Sequence, residues 1–221
     1  MATRLYLVRH GATTLSSEDR FAGATDVDLS DEGRAQAQAL ARRLAHTNLA
    51  AAFCSPMRRT HDTCTIIAGP HGLTPVGDAG LREVDHGHWE GLTRQEVEHR
   101  YAEEYAAWEE DPFTFAPQGG ESGAHVVARA LPVIRRIVIE YRERAVLIVS
   151  HKATLRLLIS TLLGFDQRGY RDRLDQSPAA LNVLDFKDPV RARLMLFNDT
   201  SHYEPCPPPP GARLSKWWVG D

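Results

Sequence analysis

Cysteine is scarce in this 221-residue chain: three residues, Cys54, Cys64 and Cys206, an odd number without the dense spacing of a disulfide scaffold. That excludes a small fold stapled by disulfides and fits a reducing compartment. No apolar run reaches the roughly 18 residues needed to span a bilayer. Met1-Ala2-Thr3-Arg4 leads straight into an apolar stretch, without a basic region, an apolar leader and a cleavage site. The expectation is a cytoplasmic protein with no membrane partner. An excess of one charge is missing too: 26 Lys and Arg against 29 Asp and Glu leave a net charge of -3. Nothing in that balance suggests nucleic acid as a partner. No internal repeat is visible.

What is there suits one globular domain with a real core, 43% of the residues being hydrophobic. The domain is expected over 1–204. The remainder, 205–221, holds five prolines and then Trp217-Trp218 and reads as an extended arm. A tryptophan pair would be unusual in a wholly solvated tail, so it is expected to pack on this subunit or on a second one, as in a homodimer.

Apolar runs at Arg4 to Val8, Ala51 to Cys54, Ala145 to Val149, Val183 to Phe186 and Arg193 to Phe197 read as strands, the last two flanking a turn at Asp188-Pro189. Between them lie helical patterns. Ser30 opens one carrying Ala35, Ala39, Leu40 and Leu44, and Ser55-Pro56 offers a cap and first turn for another. Thr93 to Glu96 has capping-box form and opens a helical stretch through Tyr105 and Trp108. A long periodic segment runs from Ser122 to Arg142. Alternating strands and helices imply a three-layer α/β/α sandwich with a largely parallel sheet, whose ligands gather at the carboxyl ends of strands.

Polar clusters fall at just those places: Arg9-His10-Gly11, Ser55 to Arg59, and Ser150-His151-Lys152. Leu81-Arg82-Glu83 precedes the glycine-bounded turn 87–91. Two arginines and two histidines around one point suit a phosphoryl group, which carries nearly two negative charges and favours bidentate donors. A neutral imidazole can attack phosphorus while its other nitrogen is held by a carbonyl. A carboxylic acid is then needed for the departing alkoxide, and Glu83 is the candidate.

Leu7-Val8-Arg9-His10-Gly11, Asp28-Leu29-Ser30 with Gly33, Ser55-Pro56-Met57-Arg58-Arg59, Leu81-Arg82-Glu83 with Gly87, and Ser150-His151 with Arg156 together resemble the histidine phosphatase superfamily, also called phosphoglycerate mutase-like. The match runs from about residue 4 to about residue 200, with every motif in the family's order. The resemblance implies a phosphohistidine mechanism without metal or other cofactor. His10 matches the nucleophile, Glu83 the proton donor, and Arg9, Arg59 and His151 the residues that hold the transferring group. Arg59, not Arg58, stands four after the serine as the pattern requires.

By the same resemblance, Arg94 matches a lysine near the pocket rim, and Ser16 stands where mutases carry an asparagine beside the substrate. Arg20 is either a substrate contact or an anchor for its loop, and Ala22-Gly23 could offer backbone amides to an anion. Lys152 stands where the family commonly has glycine. It either contacts the phosphate or a nearby carboxylate or hydroxyl of the substrate, or points to solvent. His86-Gly87-His88 lacks a clear third ligand for a metal. Cys54 is expected to be a buried structural thiol.

Three departures favour hydrolysis over mutase chemistry. Ala12 replaces the mutase glutamate, Glu109-Glu110 replaces an adjacent arginine pair after Trp108, and Pro117 to Ser122 leaves no room for the longer mutase insertion. Acids at 109 and 110 are expected to repel a second anionic group. The expected activity is hydrolysis of a small phosphorylated metabolite such as a sugar phosphate. The alternatives are a cofactor-dependent phosphoglycerate mutase and a non-catalytic protein that binds a phosphate ligand.

Overall fold

The computed structural model describes residues 2–14 and 20–204. Ser16, the proline-rich arm and Trp217-Trp218 lie outside them. The elements are β1 (Thr3–Arg9), α1 (Asp31–Leu44), β2 (Leu49–Cys54), α2 (Arg58–Ala68), β3 (Val76–Gly77), α3 (Arg94–Arg100), α4 (Ala102–Glu110), α5 (Gly123–Glu140), β4 (Ala145–Ser150), α6 (Lys152–Leu163), α7 (Tyr170–Arg173), β5 (Leu181–Phe186) and β6 (Ala192–Asp199). One sheet runs in the order β3-β2-β4-β1-β5-β6. Its first four strands are mutually parallel, while β5 and β6 join antiparallel.

Burial on both faces explains the near-continuous apolar strands. Leu5, Leu7, Phe53, Val146 and Ile148 point to one face and pack with Ile134 and Ile137 of α5 and Leu155 and Leu158 of α6. The alternate residues Val8, Ala52, Cys54, Leu147 and Val149 point to the other, against Leu40 of α1 and Cys64 and Ile67 of α2. The period of two along each strand thus builds the middle layer of a three-layer sandwich.

The element boundaries depart from the sequence expectation in two places that matter. Ser55 does not cap α2: the helix starts at Arg58, its N-cap is Met57, and no side chain caps it. Instead the Thr60 hydroxyl donates to the carbonyls of Ser55 and Met57, at 2.9 and 2.7 Å. The stretch from Thr93 to Trp108 is two helices, broken at Tyr101 (φ -134°, ψ 50°), whose ring stacks on His88 with centroids 4.3 Å apart. The capping box at Thr93 is present, and Ser30 caps α1 by accepting from Gly33 N.

Gly11 reads in sequence as a turn residue at the strand end, but packing is what demands it. A Cβ there would lie 2.4 Å from the Gly33 carbonyl oxygen, and one on Gly33 would lie 2.0 Å from that of Ala12. The two glycines let the segment after β1 press directly onto α1.

Candidate active site

Strand register builds the centre. In the β1–β4 ladder Arg9 stands opposite Ser150, so the next residues, His10 and His151, leave the sheet side by side. His10 N donates to Ser150 O at 3.0 Å, and Ser55 N donates to Val149 O at 3.1 Å, which brings the β2 exit to the same edge. The rings of His10 and His151 sit edge to face with centroids 5.3 Å apart. Both are buried.

His10 Nδ1 lies 2.8 Å from the carbonyl oxygen of its neighbour Gly11. A carbonyl only accepts, so Nδ1 carries the proton and Nε2 keeps its lone pair. Burial, and then the charges of Arg9 and Arg59, hold the imidazole well below its ordinary pKa. It is a neutral, oriented imidazole at physiological pH. His151 is depressed likewise, by burial first and then by His10, Arg59 and Arg9, and neither ring nitrogen has a hydrogen-bond partner among the described residues. His151 is therefore a neutral imidazole with a ring N–H free to donate.

Fixed charge comes from the two arginines. Arg59, 2% exposed, donates to Thr25 O at 2.8 Å and Gly23 O at 3.0 Å. Arg58 turns to solvent and pairs with Asp26 and Asp28. Arg9 donates to Gln176 O at 2.6 Å, and burial together with Arg156 pushes its guanidinium down to about 10.

Glu83 is held at the start of α6. Its carboxylate accepts from Ala153 N at 3.1 Å, Thr154 N at 3.0 Å and Val84 N at 3.1 Å, so the first free amides of α6 fix it. Its loop is clamped from below by Arg129 of α5. That guanidinium donates to the carbonyls of Gly80, Arg82 and Glu83, each at 2.9 Å, and grips Glu121 with two bonds of 2.8 Å. Sequence reading gave no signal for Arg129, because the three carbonyls it holds lie 46 to 49 residues away.

A cleft of about 240 Å³ opens over this centre. Arg9, His10, Arg59 and Glu83 line it, as do Arg20, Ala22, Gly23, Arg94 and Lys152. Gly23, however, does not present its amide to an anion: Gly23 N and Ala24 N both donate to Glu90 Oε1 at 2.9 Å. Glycine is needed there because a Cβ would fall 1.7 Å from Val84 O, beside Glu83. Arg20 borders the cleft and also anchors its loop, donating to Gly91 O at 2.8 Å and pairing with Glu96 at 3.5 Å. The two histidines at 86 and 88 part ways: His86 packs on Phe21 at the cleft, and His88 lies 2.9 Å from Glu104. Cys54 is fully buried, as its strand position implied.

Two further lining residues, Tyr170 and Arg171, carried no sequence signal. Arg156 lines the cleft as well, and Arg171 lies 4.3 Å over the Trp108 ring. Arg171 pairs with Glu109 at 3.1 Å, with the two side chains 7% and 14% exposed. Breaking such a buried pair costs about 3–5 kcal/mol, so Glu109 is committed to Arg171. The expectation that Glu109 repels an anionic group therefore fails; it holds an arginine against the cleft instead. A signal did exist for Arg156, one helical turn after Lys152.

Comparison with known proteins places the chain firmly. The model of the histidine phosphatase superfamily (branch 1) matches residues 5–200. Phosphoserine phosphatase 1 of Hydrogenobacter thermophilus is 34% identical over 163 residues, covering 74% of this chain and 77% of that protein. The solved structure of Bacillus stearothermophilus YhfR superposes with a TM-score of 0.86 at 30% identity, covering 92% of this chain and all of that one. The mycobacterial glucosyl-3-phosphoglycerate phosphatase solved with VO3 gives a TM-score of 0.80 at 32% identity, covering 88% of this chain and 98% of that one. From its motifs, its sheet and the pairing of His10 with His151, the chain belongs to the histidine phosphatase superfamily.

Proposed function

We propose that this protein hydrolyses a small phosphomonoester through a phosphohistidine on His10, without a metal. The observation that carries the reading is the His10 ring itself: buried, neutral, its Nδ1 proton given to Gly11 O, and flanked by the charges of Arg9 and Arg59. In the first step Nε2 attacks phosphorus, the ester P–O bond breaks, and Glu83 gives its proton to the leaving oxygen. In the second, water attacks the phosphohistidine, the P–N bond breaks, and the Glu83 carboxylate takes the water proton back. Arg9 and Arg59 meet the charge of the transferring group, and His151 donates to one of its oxygens.

Kinship with a phosphoserine phosphatase and a glucosyl-3-phosphoglycerate phosphatase supports hydrolysis of a metabolite-sized ester. Two free, buried thiols, Cys54 and Cys64, suit the cytoplasm. The test is phosphate release from a panel of sugar phosphates, phosphoglycerates, phosphoamino acids and nucleotides, with His10→Ala as control. Release that persists in His10→Ala contradicts the reading. Isomerisation of 3-phosphoglycerate without phosphate release would favour a mutase.

A further inference from the structure

Cations in the cleft outnumber what one phosphoryl group needs. Arg9 and Arg59 together match a phosphoryl dianion. Arg171 is answered by Glu109 at 3.1 Å and Asp172 at 3.3 Å. Arg20 is answered by Glu96 at 3.5 Å, and Arg94 lies over the Trp108 ring. Lys152 and Arg156 stand one helical turn apart on the same face of α6, both lining the cleft. They share a single carboxylate, Asp175, at 4.0 Å and 3.0 Å. At this spot two cations face one carboxylate, a local surplus of one.

Hydrogen bonding marks the same spot. Arg156 is only 8% exposed, yet its Nε has no partner among the described residues, and only its Nη2 reaches Asp175. Buried donors are normally satisfied, so an orphaned one lining a cleft marks a place for a ligand's acceptor. The Lys152 ammonium forms no hydrogen bond among the described residues; Asp175 is its ion pair, at the limit of contact. The neighbouring charges of Arg156 and Arg9 crowd the ammonium, whose side chain is 44% exposed.

We propose that Lys152 and Arg156 form a subsite for a second anionic group on the substrate, a carboxylate, beside the phosphoryl centre. The single surplus charge fits a carboxylate better than a second phosphate, and the planar Arg156 guanidinium suits it. This assignment rests on the phosphatase reading and narrows its substrate class to phosphorylated carboxylic acids.

The test compares 3-phosphoglycerate with glycerol 3-phosphate, which differ by a carboxylate against a hydroxymethyl group. The wild-type protein should favour the acid by about tenfold or more in kcat/KM. Lys152→Met should collapse that ratio toward one, and Lys152→Arg should restore most of it. A wild-type ratio near or below one, or an unchanged ratio in Lys152→Met, overturns the subsite. Should neither ester release phosphate, the wider panel of phosphomonoesters judges the phosphatase reading. The same ratio taken from calorimetric dissociation constants then still judges the subsite.

Discussion

The rings of His10 and His151 lie 5.3 Å apart because β1 and β4 are paired in parallel with Arg9 opposite Ser150. Two short segments 141 residues apart in the chain thus become one site by sheet register alone. A slip of one residue would send one imidazole to the opposite face of the sheet.

Both histidines should stay neutral through the physiological range. Their folded-state pKa values lie below the ordinary 6.5, chiefly through burial. The unfolded chain therefore binds more protons as pH falls below about 6.5, and stability is lost there while being fully present above. Imidazole resonances followed by NMR from pH 8 to 5.5 should show His10 and His151 without a titration step. A midpoint near 6.5 for His10 would contradict the site's electrostatics.

Arg129 should act on turnover through Glu83. Arg129→Met removes three carbonyl bonds and the Glu121 pair, freeing the Glu83 loop. The expected result is a fall in kcat of about 10- to 100-fold, with KM changed much less, because a positioning defect acts mainly in the transition state. Equal losses in kcat on fast and slow leaving groups would argue against it. A displaced proton donor should hurt poor leaving groups most.

How much of this was legible beforehand follows from where the residues lie. Arg9, His10, Arg59 and His151 each follow an apolar run, so strand and carboxyl end could be read together. Glu83 was found by the demand for an acid, not by periodicity. Arg171 and Asp175 were invisible, because α7 is four residues long and no strand leads into it. Arg171's partner Glu109 lies 62 residues away and reads in sequence as an acid set to repel a second anionic group. The Ser55 cap failed for a local reason, since Thr60 takes over the carbonyls that close that turn.

Lys152 leaves a stability signature. Burial first, and then Arg156, Arg9 and Arg94, push its ammonium down to about 7 from 10.5, against the pull of Asp175. Between those pH values the unfolded state holds the proton that the folded state sheds, so stability rises with pH across the window. The cost of the charge is full at and below pH 7. Lys152→Met should therefore raise Tm at pH 6.5, by on the order of 2–4 °C once screening of this half-exposed side chain is allowed for. The gain should fade toward pH 10, and a Tm difference flat from pH 6.5 to 10 would refute the assignment.

The most direct measurement is to trap the intermediate. Protein mixed with a 32P-labelled phosphomonoester and quenched in alkali should carry label that survives base and is lost in acid, as a phosphoramidate bond requires. Peptide mapping should place that label on His10, and His10→Ala should show none. Label that is stable to acid, or that maps to Ser55, Cys54 or His151 in place of His10, would contradict the account.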